Sequence, residues 1–209
     1  LDHAEDVLIE MPVARYYDEV VLAGLRLAMI DMDRGLVDRS ALMAMANVTE
    51  EIVAALAVHD DAGEPGGELN PLRFAGGFKA GDIELADDCT GSVLCIPARG
   101  PLDHTIAAMI GQLLTRRGCR VREIDRGAFR RSNGELIDPG DADVVCIVGL
   151  FDARAMRRVD MLVAQIRGRF PGLRIVVGVS RGEDGGENLL ESLGDVIEHA
   201  VKLQNHENE

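Results

Sequence analysis

Hydrophobic and polar positions follow one pattern in the first 59 residues of this chain and another from residue 92 onward. In residues 14–33, and again in 38–59, apolar side chains recur every three or four positions, which predicts two helices with Asp38 as the N-cap of the second. Gly35 lies between them and favours a turn, so the pair is predicted to form a hairpin. Residues 60–91 are rich in Gly, Asp, Glu and Pro and have no such period. They are predicted to be a linker or an irregular connection.

From residue 92 onward, short apolar runs alternate with helical patterns. This alternation predicts an α/β fold class with a small, doubly wound parallel sheet. The domain organisation is therefore predicted as a helical segment (1–59), a linker (60–91) and an α/β domain (92–209). The predicted strands are 92–99, 119–125, 143–150, 174–180 and a short fifth strand at 195–198, and the predicted helices are 102–117, 152–169 and one near 188–193.

Composition narrows the classes of partner. Hydrophobic residues make up 47% of the chain but aromatic residues only 3%, so the core must be mainly aliphatic. The 36 acidic residues outnumber the 22 basic ones, which gives a net charge of −14. This charge repels phosphate backbones, so general nucleic-acid binding is not expected. No apolar run reaches the roughly 18 residues that a membrane span needs.

The four cysteines show neither a CxxC spacing nor a pairing with histidines that is typical of a metal site. Cys95 and Cys146 lie inside apolar runs that are predicted to be strands, Cys89 lies in the predicted linker, and Cys119 begins a predicted strand. All four are predicted to be free, buried thiols in a reducing compartment.

Signatures of catalysis are missing from the positions where this fold would carry them. The first strand is followed by PARGPLD rather than by a GxGxxG fingerprint, and GVSRG departs from the nucleophile elbow. A receiver domain would need an acidic pair where Pro97, Ala98 and Arg99 stand. The sequence therefore predicts a protein that is not an enzyme.

Arginines follow three of the predicted strands. If the strands take the flavodoxin-like order, the first, third and fourth are adjacent, and their carboxyl ends form the crevice in which such folds bind ligands. The glycines of 180–186 would let backbone N–H groups approach an anion there. Alternatively, Asp103, Asp152 and Glu183 pair with the arginines. The candidate ligand-binding residues are Arg99, Arg154, Ser180, Arg181, Gly182 and Gly185.

Two stretches together resemble a known family. YYDEVVLAGLRLAMIDMDRG (16–35) looks like the segment that follows the last membrane helix in autoinducer-2 exporter-like permeases, and VLCIPARGPLDHTIAAMIGQLLTRRG (93–118) is similar to the opening of their cytosolic tail. DVVCIVGL and RFPGLRIVVGVS (169–180) fit the same tail. The resemblance implies a cytoplasmic extension of a polytopic transporter, located at the inner membrane, with the membrane portion of the same polypeptide as its partner.

The tail in turn resembles a cobalamin-binding domain. Such domains often supply a cobalt ligand from a D-x-H-x-x-G pattern, but here the histidine position falls on Asp103, and His104 is one residue off. The site looks degenerate, so no cofactor and no metal are expected. Two functions remain open: a non-enzymatic regulatory or assembly domain, or a sensor that binds an anionic or corrinoid ligand.

Self-association is expected through the helical segment. Apolar residues nearly encircle the first helix, so either the α/β domain or a second copy must cover it. A homodimer formed through residues 14–58 is therefore predicted.

Overall fold

The computed structural model describes residues 11–57, 89, 91–98, 100, 102–124, 138–180 and 190–205. Its centre is a sheet of four parallel strands, in the order β2-β1-β3-β4. The strands are β1 (Ser92–Pro97), β2 (Arg120–Glu123), β3 (Val144–Phe151) and β4 (Arg174–Ser180). This order confirms the predicted α/β class with a parallel, doubly wound sheet.

Both faces of the central strands are covered, which explains their continuous apolar sequences. Every residue of β1 and β3 is buried. On one face, Leu94 and Ile147 pack against α5 (Ala153–Arg169). On the other, Cys95 and Cys146, which are register partners, face α4 (Asp103–Arg116) and α6 (Leu193–Asn205). A parallel strand sandwiched in this way needs apolar side chains at successive positions.

The predicted short strand at 195–198 is wrong, because these residues lie in the first turns of α6. Val196, Ile197, Ala200 and Val201 are all buried, a spacing that only a helix can direct to one side. The predicted helix near 188–193 falls partly outside the described residues. Its described part contains Leu190, which forms an isolated bridge with Gly178 of β4.

The helical segment agrees with the sequence prediction. A continuous helix, called here the N-terminal helix, consists of α1 (Val13–Tyr16), a π-helical segment (Tyr17–Leu22) and α2 (Ala23–Asp33). After a turn, α3 (Arg39–Leu56) begins at Asp38, whose side chain accepts a hydrogen bond from the Ala41 N–H at 2.8 Å, as an N-cap does.

The helical segment and the sheet share one hydrophobic core. Leu42 of α3 and Tyr17 of the N-terminal helix belong to the same buried cluster as Val93 of β1. Hydrogen bonds fix the contact: Gln112 of α4 donates to the Val53 carbonyl at 2.8 Å, and the Tyr17 hydroxyl donates to Gln112. The helices therefore cover the α4 side of the sheet. Within the part of the chain that is described, no helix is long and apolar enough to span a membrane.

The prediction of four free cysteines is wrong for two of them. Cys89 and Cys119 form a disulfide with a Cα–Cα distance of 4.8 Å, whereas Cys95 and Cys146 are free and buried, as predicted. The physical reason is strand pairing. Cys119 immediately precedes β2 and Cys89 lies three residues before β1, and the parallel register of Ser92 with Arg120 brings these positions together.

Asp18 joins the two parts of the protein at the start of α6. From the π-helical segment, its carboxylate accepts hydrogen bonds from the N–H groups of Leu193 (2.7 Å) and Gly194 (3.2 Å). Two donors that α6 itself cannot satisfy are thereby paired. Burial raises the pKa of Asp18, an effect that these two hydrogen bonds oppose, while the charges of Asp195 and Arg26 raise and lower it respectively.

The raised pKa of Asp18 predicts a specific pH dependence of stability. The ordinary value of 3.8 applies to the unfolded chain, so between 3.8 and the higher folded value the folded state binds more protons. The contribution of Asp18 to the free energy of unfolding is then largest below pH 3.8 and is lost as the pH rises through the folded pKa.

Urea denaturation of the wild type and of Asp18→Asn, which cannot titrate, checks this sign. The wild type should lose stability relative to the variant as the pH rises from about 3.5 to 6, the window around the ordinary and raised carboxyl pKa values. A difference that is constant across this range, or one that grows in the opposite direction, would contradict the prediction.

Candidate functional site at the carboxyl edge of the sheet

The strand order creates a crevice at one edge of the sheet. The chain proceeds from β1 to β2 on one side and then crosses to β3 on the other, so the carboxyl ends of β1 and β3 form a switch point. Pro97 and Val148 are the last register partners of these strands. Open α/β sheets bind ligands at such a crevice. The predicted adjacency of the first, third and fourth strands is confirmed.

The structure describes few of the predicted ligand-binding residues. Arg154 is exposed in the first turn of α5, and Ser180 ends β4, where its backbone is the register partner of Phe151. Arg99, Arg181, Gly182 and Gly185 lie outside the described residues. The convergence of the arginines therefore stays a prediction.

A carboxylate of the protein itself occupies the crevice. Asp103, at the start of α4, is only 3% exposed. Its Oδ2 accepts a hydrogen bond from the Gly100 N–H at 2.6 Å, and its Oδ1 accepts one from the Leu150 N–H at 3.0 Å. The first donor belongs to the loop after β1 and the second to β3. Asp103 therefore joins the two strand ends across the switch point.

Two glycines make room for this carboxylate. A Cβ atom added to Gly100 would lie 2.6 Å from Oδ2 of Asp103, and one added to Gly149 would lie 2.6 Å from its Cγ. Neither distance is compatible with a side chain. The N-terminus of α4 also favours negative charge through the helix dipole. Gly100, Asp103 and Gly149 thus form one constellation, which we call the carboxylate cradle.

The carboxylate cradle uses the donors that would otherwise bind an anion. Backbone N–H groups beside a helix N-terminus are the usual anion site of α/β proteins. Here both described donors already have a negatively charged partner. A ligand phosphate at this point would meet the Asp103 carboxylate, and like charges repel.

Asp152 caps a helix, which is a structural role that the sequence analysis did not predict. Its Oδ1 accepts a hydrogen bond from the Ala155 N–H at 2.6 Å and so caps α5. The extended backbone of Asp152 is typical of an N-cap. Sequence reasoning placed this residue at the rim but not at the cap, although an Asp directly before a helical pattern is the usual signal.

Val179 has an unusual backbone conformation near the end of β4. Its φ angle is 77°, in the left-handed region, and its side chain is fully buried. A β-branched residue rarely adopts this conformation, and strained backbone is concentrated at functional or switching sites. The strain accompanies a hydrogen bond from the Val179 N–H to the Leu190 carbonyl. No sequence signal could have revealed it, because valine normally avoids positive φ.

A second group of titratable side chains lies where α3, α4 and β2 meet. His104 is partly buried, and its Nδ1 has no hydrogen-bond partner among the described residues. Burial raises the pKa of Glu123, the neighbouring His104 lowers it, and the neighbouring Glu50 raises it. Among the described residues, no cluster of three or more His, Cys, Asp or Glu side chains could hold a metal ion.

Comparisons of the chain with known protein families, with curated proteins and with solved structures found no match. Its function must therefore be argued from the residues themselves.

Proposed function

We propose that this chain is a non-enzymatic regulatory or assembly domain of a polytopic membrane transporter of the autoinducer-2 exporter-like kind. The carboxylate cradle is the observation that supports a non-enzymatic function. In this fold the crevice between β1 and β3 is where a ligand would bind, and Asp103 fills it with a charge that two backbone N–H groups already satisfy. The side chain holds the scaffold together at the point where an enzyme would need open space.

The transporter context is supported by the sequence. Residues 16–35 resemble the segment after the last membrane helix of such permeases, and residues 93–118 resemble the opening of their cytosolic tail. Both stretches contribute to one packed core. The proposed partner is the membrane portion of the same polypeptide, and the proposed location is the cytoplasmic face of the inner membrane. The helical segment would then connect the membrane portion to the α/β domain.

The complete reading frame and a deletion test this context. Several long apolar segments are expected upstream of residue 1. In the full-length protein, removal of residues 92–209 should preserve membrane insertion but change either the transport rate or the oligomer size in detergent. A reading frame without such segments, or a deletion that changes neither quantity, would contradict the proposal.

A sensor that binds an anionic or corrinoid ligand is the alternative. It is favoured by the exposed Arg154 and by the strained Val179, which both lie at the carboxyl edge of the sheet. Asp103 argues against an anionic ligand at the switch point. The sequence argues against a corrinoid, because Asp103 stands at the position of the histidine ligand.

A titration with cobalamin separates the two functions. We expect no shift of the corrin absorption bands when the purified protein is added, since Asp103 stands at the position of the histidine ligand. The matched control is His104→Ala, which should give the same flat titration. A stoichiometric shift with the wild type that His104→Ala abolishes would reject the regulatory proposal in favour of the sensor.

A further inference from the structure

The Gln204 side chain, in the last turn of α6, lies directly against the Cys89–Cys119 disulfide. Gln204 is 8% exposed, and the two cysteines are 2% and 4% exposed, so all three side chains are buried. The amide oxygen of Gln204, Oε1, lies 2.7 Å from Sγ of Cys89. A Cβ atom added to Gly91 would lie 2.1 Å from the same oxygen, so a residue without a side chain makes room for the amide at this point.

A backbone carbonyl determines which end of the Gln204 amide faces the sulfur. The Nε2 group donates a hydrogen bond to the Ser92 carbonyl at 3.1 Å. If the amide were rotated by half a turn, Oε1 would face that carbonyl, and two acceptors cannot form a hydrogen bond with each other. The Ser92 carbonyl therefore holds Oε1 against Cys89.

The amide oxygen of Gln204 can be paired in only one redox state of Cys89. A disulfide sulfur has no proton, so in the bonded state Oε1 has no hydrogen-bond donor among the described residues. In the dithiol state, the Cys89 S–H group can donate to Oε1, because a thiol is a donor and an amide oxygen is an acceptor. A buried acceptor without a donor is unfavourable. Gln204 therefore stabilises the dithiol relative to the disulfide.

Backbone hydrogen bonds hold the two cysteines close together without the help of sulfur. The Cys89 N–H donates to the Arg117 carbonyl at 2.9 Å, and the Arg120 N–H donates to the Gly91 carbonyl at 3.0 Å. These bonds do not require the S–S bond, so the two segments remain paired when it is broken. The Cα–Cα distance of 4.8 Å is within the range that a disulfide needs, so the bond can form again from the same backbone arrangement.

We propose that Cys89 and Cys119 form a reversible oxidation site that exchanges with a low-molecular-weight thiol such as glutathione, and that Gln204 sets its equilibrium toward the dithiol. In oxidation, the thiolate of one cysteine attacks glutathione disulfide and releases one glutathione. The other cysteine then displaces the second glutathione as the Cys89–Cys119 bond forms. Two electrons and the two cysteine protons end on the two glutathione thiols, and reduction is the reverse of these steps.

The equilibrium with glutathione tests the role of Gln204. Wild type and Gln204→Met are equilibrated in buffers with graded ratios of glutathione to its disulfide, and the free thiols are alkylated in denaturant and counted by mass spectrometry. Methionine is similar in size but has no amide. The Ser92 carbonyl loses its donor in both redox states of the variant, so this loss cancels in the equilibrium. The disulfide of Gln204→Met should be favoured about tenfold more strongly than that of the wild type, which lowers the reduction potential by about 30 mV.

Lys202→Met is the matched control for this substitution. Lys202 is exposed on the same turn of α6, so its replacement should leave the wild-type equilibrium unchanged. Cys95 and Cys146 are free and buried and provide an internal reference. A reduced chain should therefore show four alkylated thiols, and an oxidised chain should show two.

Three results would overturn the inference. The first is a wild type whose thiol count stays constant across the glutathione series, because its cysteines would then not form a reversible site. The second is an equilibrium of Gln204→Met that equals that of the wild type or moves toward the dithiol. The third is an equal shift in Lys202→Met. The inference does not depend on the proposed transporter context, and each of these results leaves the reading-frame test of that context unaffected.

Discussion

Replacing Asp103 by alanine is expected to lower the free energy of unfolding by about 3–5 kcal/mol. The carboxylate accepts hydrogen bonds from the N–H groups of Gly100 and Leu150, and its side chain is almost fully buried. A hydrogen bond to a charged group contributes about 1.5–3 kcal/mol, and a donor left unpaired in the interior adds a desolvation penalty. Asp103→Asn should cost less, because the amide oxygen can still accept one of the two bonds.

Urea denaturation measures this effect against a matched control. Asp160 lies exposed on α5, and Asp160→Ala should change the free energy of unfolding by no more than about 0.5 kcal/mol, as surface substitutions usually do. A loss below about 1 kcal/mol for Asp103→Ala would contradict the role of the cradle, since even one lost hydrogen bond to a charged group should cost more.

A small anion provides a sharper readout of the same cradle. Removal of the side chain leaves two N–H donors beside a helix N-terminus, which is an arrangement that binds anions. Formate should therefore raise the unfolding midpoint of Asp103→Ala and leave that of the wild type and of Asp160→Ala unchanged. If formate affects all three proteins equally, the donors of the cradle are not available as an anion site.

The sheet could be predicted because its central strands have an unusual sequence. Runs such as VVCIVGL are apolar at successive positions, and only a strand buried on both faces requires this pattern over so short a length. The helices between them have clear periods, and the N-cap at Asp38 was visible because it directly precedes one. Local patterns in the sequence were therefore sufficient to predict the class of fold.

The errors arose where contacts distant in sequence decide the structure. Residues 195–198 contain Val196 and Ile197, which favour a strand locally, but they lie in the first turns of α6. Asp18 caps that helix by accepting a hydrogen bond from the Leu193 N–H, 175 residues away. The burial of Ala200 and Val201 continues the helical period, so a longer window would have revealed it. The sequence placed Asp103 at the rim and at the histidine position of the cobalamin pattern. Its bridging role was not predicted, because its hydrogen bond from the Leu150 N–H depends on β1 and β3 being neighbours.

The disulfide was missed for the same reason. No local motif relates Cys89 to Cys119, which are 30 residues apart. Their proximity follows only when β1 and β2 are known to be parallel neighbours with Ser92 opposite Arg120. The backbone confirms the contact, since the Cys89 N–H donates to the Arg117 carbonyl at 2.9 Å and the Arg120 N–H donates to the Gly91 carbonyl at 3.0 Å.

Removal of this disulfide is expected to lower the free energy of unfolding by about 3–4 kcal/mol under oxidising conditions. A cross-link across a loop of 30 residues restricts the unfolded chain, and loop-closure entropy for this length predicts a value in that range. The corresponding fall in the melting temperature is about 10 °C for a chain of this size. Both cysteines are buried, so the variant Cys89→Ala/Cys119→Ala removes the bond without leaving a new polar group.

Reductant supplies the control for this measurement, because it separates the loss of the bond from the loss of the side chains. Dithiothreitol should lower the melting temperature of the wild type to nearly that of the double variant and leave the double variant unchanged. Equal melting temperatures for both proteins without reductant would show that the bond does not stabilise the fold.

The state of the bond also bears on the proposed location, since cytosolic proteins are usually kept reduced. Rapid alkylation of cells in acid, followed by mass spectrometry, should find four modified thiols if the domain faces the cytosol and two if it faces an oxidising compartment. Two modified thiols would therefore contradict the proposed cytoplasmic location while leaving the stabilising role of the disulfide intact.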